Sequence, residues 1–178
     1  MSTEKKDSTK VVTGEVRFSY VHVWEKGAPM NAGDEGKYGA VLLIDKKDTK
    51  TVNAIQAAIE AAKVAKWGTK IPKVLKSVFR DGDEEKDDEN YVGKYFMSCN
   101  SKEKPGIFDK DRNPIMDKEE FYSGVYGHAS INFFGYDQKG AGVGCGLNAV
   151  MKSKDGERLS GADRSADAFG DIDTDNDL

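Results

Sequence analysis

The sequence holds few of the side chains on which catalysis and metal binding usually depend. Among its 178 residues there are only two histidines, His22 and His128, and two cysteines, Cys99 and Cys145. None of the four lies close to another in the sequence, so the ligand pairs typical of structural zinc sites are absent. A nucleophile motif is absent as well, and classical acid–base or Ser/His catalysis is therefore poorly supported. We expect both cysteines to be reduced, buried thiols.

Long hydrophobic runs are also missing. No stretch approaches the length of a membrane span, and the N-terminal residues MSTEKKDSTK lack the apolar segment of a signal peptide. We therefore expect a cytosolic protein that does not contact a membrane. Its 178 residues, of which 38% are hydrophobic and 33% charged, are ordinary for one soluble domain with a real core.

The negative charge of the chain is concentrated in two segments. Residues 163–178 contain six aspartates and one arginine, and residues 81–89 contain seven acids and one lysine. The net charge is −4, which leaves +7 on the rest of the chain. An acidic, aromatic-poor tail is expected to be disordered, because it cannot bury enough apolar surface to offset its ordering entropy. Such a tail suits a nucleic-acid-binding protein whose affinity is lowered by its own anionic segment.

The order of secondary structure indicates a small barrel. A strand is predicted at residues 11–24, where β-branched and aromatic residues are enriched. Further strands are predicted at residues 38–44, 91–100, 122–136 and 140–152. In the first strand the apolar face changes near Ser19, which indicates a bulge. A helix is predicted after Asp48 or Thr49, and Gly68 and Pro72 end it. Residues 81–90 and most of 101–120 are predicted to be loops.

Alternating glycines mark the last strand. Gly140, Gly142, Gly144 and Gly146 share one face, but they fit neither GxGxxG nor GxxxxGK[ST], so a nucleotide loop is not indicated. A strand that is bare on one face can coil sharply or let another backbone approach closely. We predict a mainly β fold, a five-stranded OB-fold barrel with one interposed helix, long loops and a disordered acidic tail. The predicted divisions are a flexible N-terminus (1–10), the OB-fold domain (11–162) and the tail (163–178).

Two carboxylate-rich segments could hold a metal ion. In residues 109–120, Asp109, Asp111, Asn113, Asp117 and Glu120 match ligand positions of a calcium loop, but Pro114 occupies the position that requires glycine. The acids at 81–89 could serve a nuclease, although such runs are more often solvated. We predict no metal and no other cofactor. A metal-dependent nuclease that uses either segment stays an alternative, as does a non-enzymatic β-barrel interaction protein.

Aromatic and basic side chains point to single-stranded nucleic acid. Proteins that bind single strands place aromatic rings on an exposed sheet face beside lysines and arginines that meet phosphates. The aromatic candidates, with one histidine, are Tyr20, Trp24, Tyr95, Tyr122, Tyr126, His128 and Phe134. The basic candidates are Arg17, Lys37, Lys94, Lys102 and Lys104. Phe18, Phe96, Phe121 and Phe133 are assigned to the core, where aromatic residues are common.

A series of short motifs resembles a known family. In chain order they are Tyr38-Gly-Ala-Val-Leu-Leu-Ile-Asp-Lys, Arg80-Asp-Gly-Asp, Tyr91-Val-Gly, Lys104-Pro-Gly, Phe121-Tyr-Ser-Gly, Ala129-Ser-Ile-Asn-Phe-Phe-Gly-Tyr-Asp, Gly142-Val-Gly-Cys-Gly-Leu-Asn and Lys154-Asp-Gly-Glu-Arg-Leu-Ser-Gly. With the acidic tail, they resemble a family of bacteriophage single-stranded DNA-binding proteins that is similar to the replication single-strand binder of short-tailed coliphages. The likeness spans residues 12–162.

The resemblance implies an OB-fold that binds single-stranded DNA (ssDNA) without reading its sequence, in replication, recombination or repair, and without catalysis. It also implies action in the cytoplasm of an infected bacterial host. The tail is expected to compete with DNA and to recruit phage or host replication and recombination proteins. The tail residues assigned to this role are Phe169, Asp171, Asp173, Asp175 and Asp177. Tails of this kind often end in an aromatic residue, whereas this chain ends in Leu178.

Overall fold

The computed structural model of the chain describes residues 8–29, 33 and 35–159. The predicted acidic tail at 163–178 and most of the predicted N-terminal segment at 1–10 therefore lie outside the described residues. Within the part that is described, no helix is long and apolar enough to cross a membrane.

The described residues form nine strands and two α-helices. The strands are β1 (Lys10–Val12), β2 (Val16–His22), β3 (Tyr38–Asp45), β4 (Lys76–Ser77), β5 (Arg80–Asp81), β6 (Lys94–Ser101), β7 (Gly106–Phe108), β8 (Tyr126–Tyr136) and β9 (Gly142–Lys154). The helices are α1 (Thr49–Trp67) and α2 (Gly82–Glu85), with 3-10 turns at Glu89–Tyr91 and Lys118–Glu120.

Five of the strands close into a barrel. β2 pairs with β3, β3 with β6, β6 with β9, β9 with β8, and β8 returns to β2. The pairing of β6 with β9 is parallel, and the other four are antiparallel. The predicted five-stranded barrel with one long interposed helix is confirmed. The short strands extend it, since β1 adds to β8, β4 and β7 add to β9, and β5 adds to β6.

The first predicted strand is two strands rather than one. β1 and β2 both lie along β8, but the chain turns between them at residues 13–15. The turn is fixed by distant contacts, because the backbone N–H of Thr13 donates to the Ala129 carbonyl at 3.0 Å and that of Gly14 donates to the Thr51 hydroxyl at 2.9 Å. The turn explains why Val12 is 75% exposed although Val16, of the same parity, is buried.

The predicted bulge in β2 is confirmed. Its register against β3 shifts between Ser19 and His22. Tyr20 lies at the shift with φ of 47°, a left-handed conformation that is uncommon for a residue other than glycine. This geometry turns the Tyr20 side chain out of the barrel, where it is 56% exposed.

Helix α1 begins and ends where the sequence predicts. Asp48 caps it, with Oδ1 accepting the Thr51 backbone N–H at 3.2 Å, an arrangement that stabilises a helix by about 1 kcal/mol. Val52, Ile55, Ala58 and Ala62 form the buried face and belong to the main core. Gly68 ends the helix, and its N–H donates to the Val64 carbonyl at 2.8 Å.

The core contains the four predicted phenylalanines, all buried. Phe18 and Phe121 pack in the main core with their ring centroids 5.0 Å apart. Phe96 belongs instead to a second, smaller cluster with Leu43 and Tyr91. The two cysteines are free and buried, as expected.

The glycines of β9 are covered by side chains from β8. Gly142, Gly144 and Gly146 lie opposite Tyr136, Phe134 and Asn132 in the pairing register. A Cβ at Gly144 would lie 2.8 Å from the Phe134 ring, and one at Gly146 would lie 2.7 Å from the Asn132 amide oxygen. The bare face therefore accommodates cross-strand side chains, whereas the sequence suggested strong coiling or close approach of a backbone.

Candidate nucleic-acid interface

An open groove of about 690 Å³ lies beside the barrel. One wall is formed by the end of β2 and the residues that follow it, and the other by residues 118–123 and Arg158. Its aromatic and basic lining consists of Tyr20, Trp24, Lys26, Lys118, Tyr122 and Arg158. We refer to this site as the groove. Three of the aromatic residues predicted to stack on bases therefore line one surface.

Trp24 is held in the groove by a specific hydrogen bond. Its Nε1–H donates to the Phe121 carbonyl at 2.9 Å, and its ring is half-buried against the main core. The ammonium of Lys104 lies 5.1 Å from the ring centroid. A fixed aromatic ring beside a cation presents a stacking surface and a phosphate ligand together.

Tyr122 is anchored through its hydroxyl. That oxygen lies 3.0 Å from both Asp155 Oδ1 and the Gly156 carbonyl, and it accepts the Gly156 N–H at 3.2 Å. The guanidinium of Arg158 lies 4.3 Å from the centroid of the Tyr122 ring, and the ammonium of Lys152 lies 5.7 Å from it. The ring therefore has a fixed position with two cations near its face.

Tyr126 extends this arrangement along the barrel. It lies opposite Arg17 in the pairing of β2 with β8 and opposite Lys154 in the pairing of β8 with β9. The Arg17 guanidinium and the Lys154 ammonium lie 5.2 and 4.9 Å from its ring centroid. Arg17 also donates to the carbonyls of Gly124 and Glu157, at 3.1 and 2.7 Å, and so connects β2 to both segments beside Tyr122.

Most cations of the groove and its border are paired with carboxylates. Lys152 contacts Glu120 and Asp155 at 2.9 and 2.7 Å, and Arg158 contacts Glu119 at 2.8 Å. The remaining pairs are Lys118 with Glu25, Lys154 with Glu15 and Lys26 with Glu35, at 2.9, 3.5 and 3.7 Å. The pairs of Arg158, Lys118, Lys154 and Lys26 are exposed and contribute little stability, so a phosphate can replace those carboxylates at small cost, whereas the Lys152 side chain is only 12% exposed.

The pKa values at Lys152 reflect this pairing. Partial burial lowers the pKa of Lys152, but hydrogen bonds to Asp155 and Glu120 outweigh it and the pKa is raised. The hydrogen bond from Lys152, followed by that from Tyr122, lowers the pKa of Asp155. Both groups are therefore charged at neutral pH.

Eight of the twelve predicted DNA-binding residues lie at the groove or beside it. Arg17, Tyr20, Trp24, Lys104, Tyr122 and Tyr126 have the contacts given above. Lys37 is exposed and its carbonyl accepts the N–H of Gly27, a residue of the groove wall, at 2.8 Å. Lys102 is exposed and directly follows Ser101, which pairs with Tyr38.

The other four predicted residues lie elsewhere. Lys94 pairs with Asp45 at 3.5 Å, about 23 Å along β6 from Ser101, and Tyr95 stacks on Phe79 with ring centroids 4.5 Å apart. His128 Nδ1 lies 3.0 Å from the Thr13 carbonyl. Phe134 is 47% exposed near the far end of β8. The structure does not bring these four to the groove.

The acidic segment at 81–89 is solvated, as its composition indicates, since residues 83–89 are exposed, but it is not entirely a loop. It contains α2, and Lys46 contacts Asp81 and Asp83 at 2.7 Å each. These hydrogen bonds lower the pKa of both aspartates and raise that of Lys46. Arg80 pairs with Glu85 at 2.6 Å. The segment is therefore folded against the barrel with several of its charges neutralised.

In the calcium-like segment at 109–120, one candidate ligand accepts hydrogen bonds from the backbone of the segment itself. Asp109 Oδ1 accepts the N–H groups of Asp111 and Asn113, both at 2.9 Å. Within the part of the chain that the structure describes, no three His, Cys, Asp or Glu side chains are grouped so as to hold a metal ion.

Several residues of this surface were missed by the sequence analysis. They are Lys26, Lys118, Lys152, Lys154 and Arg158. Lys152 and Lys154 alternate on β9, and that spacing places both on one face of a strand. Placing them beside Tyr122 and Tyr126 also requires the register of β9 against β8, which local patterns do not provide.

Comparison with known proteins gives consistent matches. The family model described as "Enterobacter phage Enc34, ssDNA-binding protein" matches residues 9–178. Protein p50 of Acyrthosiphon pisum secondary endosymbiont phage 1 is 31% identical over 176 residues, covering 92% of this chain and 94% of that protein.

Solved structures agree in fold. The single-stranded DNA-binding protein from bacteriophage Enc34, solved in complex with ssDNA, is 25% identical with a TM-score of 0.77, over 86% of this chain and 90% of that one. The single-stranded DNA-binding protein gp2.5 of bacteriophage T7 has a TM-score of 0.62 at 17% identity, over 92% of this chain and 93% of that one. At that identity the T7 match supports the fold alone.

Proposed function

The chain belongs to the family of the Enterobacter phage Enc34 ssDNA-binding protein, and from this premise we propose that its groove binds single-stranded DNA by base stacking and phosphate contacts, without reading sequence. This is a family of DNA-binding proteins and not of enzymes, in agreement with the expected absence of catalysis. The nuclease alternative and the alternative of an interaction protein without a nucleic-acid role are set aside.

The observation that carries the proposal is the placement of Tyr20, Trp24 and Tyr122 around one open groove. Trp24 and Tyr122 are fixed by hydrogen bonds to the protein, so little ordering is required when a base stacks on them. Stacking of this kind contributes about 1–3 kcal/mol per base and tolerates any base, because every base has a π-face. The groove thus suits binding that does not depend on sequence.

Phosphates would be met by the cations beside these rings. Lys104, Arg158 and Arg17 each lie within 6 Å of an aromatic centroid, so the strand can place bases and phosphates on adjacent groups. Arg158 contacts Glu119 and would have to release this carboxylate in order to bind a phosphate. The affinity should depend on salt, with a log–log slope of about −0.7 per phosphate neutralised.

We further propose that the acidic tail competes with DNA for this groove and recruits phage or host replication and recombination proteins. The end of the described chain supports it, since the Leu159 N–H donates to the Ser123 carbonyl at 3.0 Å and both Ser123 and Arg158 line the groove. The described chain therefore ends beside the groove, four residues before the tail begins, and an anion tethered there would act at an effective concentration of up to about millimolar.

In this proposal the protein covers and protects single strands during phage replication, recombination or repair, in the cytoplasm of the infected host. Its contacts would be ssDNA through the groove and partner proteins through the tail residues Phe169, Asp171, Asp173, Asp175 and Asp177.

The direct test compares substitutions at two exposed residues. Binding is measured by fluorescence anisotropy with a labelled poly-dT oligonucleotide. Tyr20→Ala should weaken binding by about 1–3 kcal/mol if its ring stacks on a base. Val92→Ala, at a residue that is 66% exposed and outside the groove, should leave the Kd unchanged. Equal affinities of the two variants, with melting temperatures as in the wild type, would remove Tyr20 from the proposed surface.

A further inference from the structure

A short strap follows one wall of the groove. It consists of residues 155–159, which come directly after β9 and lie along residues 122–124. The Leu159 N–H donates to the Ser123 carbonyl at 3.0 Å, and a Cβ at Gly124 would overlap the Glu157 carbonyl oxygen. The two backbones can approach this closely because residue 124 has no side chain. The strap is therefore packed directly against the segment that carries Tyr122.

The backbone of the strap is held on both sides of Arg158. On one side, the Glu157 carbonyl accepts a hydrogen bond from the Arg17 guanidinium at 2.7 Å. On the other side, Leu159 bonds to Ser123 and packs against the second, smaller core cluster. Because these contacts fix the main chain, movement at this position falls to the Arg158 side chain, which is 50% exposed.

The Arg158 side chain covers the ring of Tyr122. Its guanidinium carbon lies 4.3 Å from the ring centroid, a close approach, since contacts between a cation and an aromatic face extend to about 6 Å. The ring also packs against the main core, and its other neighbouring cation, Lys152, has a side chain that is only 12% exposed. The face under Arg158 is therefore the one open to a ligand, and no base can stack on it while the guanidinium is there.

Arg158 is also the cation that can leave this ring. It contacts the Glu119 carboxylate at 2.8 Å, and the Glu119 side chain is 80% exposed. Lys152 instead contacts two carboxylates, Glu120 and Asp155, at 2.9 and 2.7 Å, with little access to solvent. An exposed ion pair contributes little stability, so a phosphate can draw Arg158 away from Glu119 more readily than it can draw Lys152 from its two partners.

We propose that Arg158 is a gate in the groove. In the free protein its guanidinium covers the Tyr122 ring. When ssDNA binds, the guanidinium moves from the ring and from Glu119 to a phosphate, and a base takes its place on the ring. The inference rests on the proposed function, because both contacts lie within the same groove. It gives Arg158 two opposite effects on affinity, since its charge attracts the strand and its position obstructs stacking.

The two effects can be separated by salt. Arg158→Ala removes one phosphate contact, so the log–log salt slope for poly-dT should become less steep by about 0.7, and binding at about 50 mM salt should be weaker than in the wild type. The same change uncovers the ring, and this gain depends little on salt because the obstruction is steric. Near 1 M salt, where the screening length is about 3 Å, Arg158→Ala should bind about twofold to fivefold more tightly than the wild type, the range of an exposed cation–π contact. Arg112→Ala, at an exposed arginine in a turn outside the groove, should match the wild type there.

A second comparison tests whether the gain requires the ring. Arg158→Ala is combined with Tyr122→Phe or with Tyr122→Leu, both of which lose the hydroxyl contacts to Asp155 and Gly156. Only Tyr122→Phe keeps a ring face. The gain near 1 M salt should therefore persist with Tyr122→Phe and vanish with Tyr122→Leu. If Tyr122→Leu unfolds, the salt titration of Arg158→Ala still decides the matter.

Two results would overturn the proposal. One is weaker binding by Arg158→Ala at every salt concentration, which would make Arg158 a phosphate contact alone. The other is a gain at high salt that persists with Tyr122→Leu, which would show that the gain does not come from uncovering the ring. Either result leaves ssDNA binding by the groove intact. Failure of the proposed function would look different, because the wild-type protein would then not bind poly-dT even at low salt.

Discussion

The groove and the far ends of β8 and β9, which the turn at residues 137–141 joins, contain the same types of side chain in different electrostatic states. In the groove, Arg158 and Lys118 contact carboxylates at 2.8 and 2.9 Å, and the aromatic rings are anchored by hydrogen bonds. At these far ends, Lys76 and Lys139 have no carboxylate within 4 Å among the described residues, and the 47% exposed ring of Phe134 packs on the bare backbone of Gly144. The groove therefore holds its rings by hydrogen bonds and pairs its cations with carboxylates, and neither is true of Phe134, Lys76 and Lys139.

The largest effect is expected when a groove ring is removed. Tyr122→Ala should weaken ssDNA binding by about 1–3 kcal/mol for oligonucleotides of every length, because the stacking surface itself is lost. Tyr122→Phe is the matched control, since it keeps the ring and loses only the hydroxyl contacts to Asp155 and Gly156. Phe134→Ala, about 26 Å along β8 from Tyr126, should weaken binding less than Tyr122→Ala does. An equal loss of affinity in Tyr122→Ala and Phe134→Ala would remove the distinction between the two regions.

The next effect concerns the acidic tail. Deleting residues 163–178 should strengthen ssDNA binding by about tenfold (about 1.4 kcal/mol) at low salt, because a tethered anion that competes for the groove is removed. The advantage should vanish near 1 M salt, where the screening length is about 3 Å. Changing Asp171, Asp173, Asp175 and Asp177 to Asn should reproduce most of it. A truncated protein with unchanged affinity at low salt would show that the tail does not compete with DNA.

A smaller effect should distinguish paired from unpaired cations. Glu119→Gln releases Arg158 in the groove and should strengthen ssDNA binding by about 0.2–1 kcal/mol at low salt, the range of an exposed ion pair. Asp137→Asn, in the turn that joins β8 and β9, releases only the weak pair with Lys66 and should change affinity less. Anisotropy titrations at two salt concentrations measure both variants. A larger gain from Asp137→Asn would reverse the assignment of the two regions.

The smallest effect on DNA binding is expected at the cluster of Lys46, Asp81 and Asp83, which lies in neither region. Lys46→Met should lower the melting temperature at neutral pH and leave the Kd for ssDNA unchanged. The pKa of both aspartates is lowered from the usual 3.8, so their stabilisation is present above that value and is lost as pH falls through the lowered pKa. The pKa of Lys46 is raised, so the stability that its charge contributes to the fold is present below its ordinary pKa and is lost only in strong alkali. The difference in melting temperature between Lys46→Met and the wild type should therefore disappear in strong acid.

Much of the fold could be predicted from local patterns. The cap at Asp48, the stop at Gly68 and the alternation in β9 depend on neighbouring residues, and the structure confirms all three. The break between β1 and β2 could not be predicted in the same way. It is fixed by hydrogen bonds from Thr13 to Ala129 and from Gly14 to Thr51, which join distant parts of the chain.

The sequence predicted the types of side chain at the candidate site, and their role in binding stays a prediction. Trp24 and Tyr122 are half-buried, and the structure places both in one groove. Phe134 shares a sheet face with Tyr126, but the rise along a strand places the two about 26 Å apart, which already argues against one common site. Lys66 packs on Gly135, the neighbour of Phe134, so the end of α1 and the Phe134 ring lie on opposite faces of β8.

Base stacking in the groove can be measured most directly by the fluorescence of Trp24 on addition of DNA. The chain has two tryptophans, so Trp67→Phe leaves Trp24 as the reporter within the groove. If bases stack in the groove, poly-dT should quench Trp24 emission with the same Kd that anisotropy gives for the labelled strand. Full binding by anisotropy with unchanged Trp24 emission would contradict the account, because the strand would then be bound away from the groove.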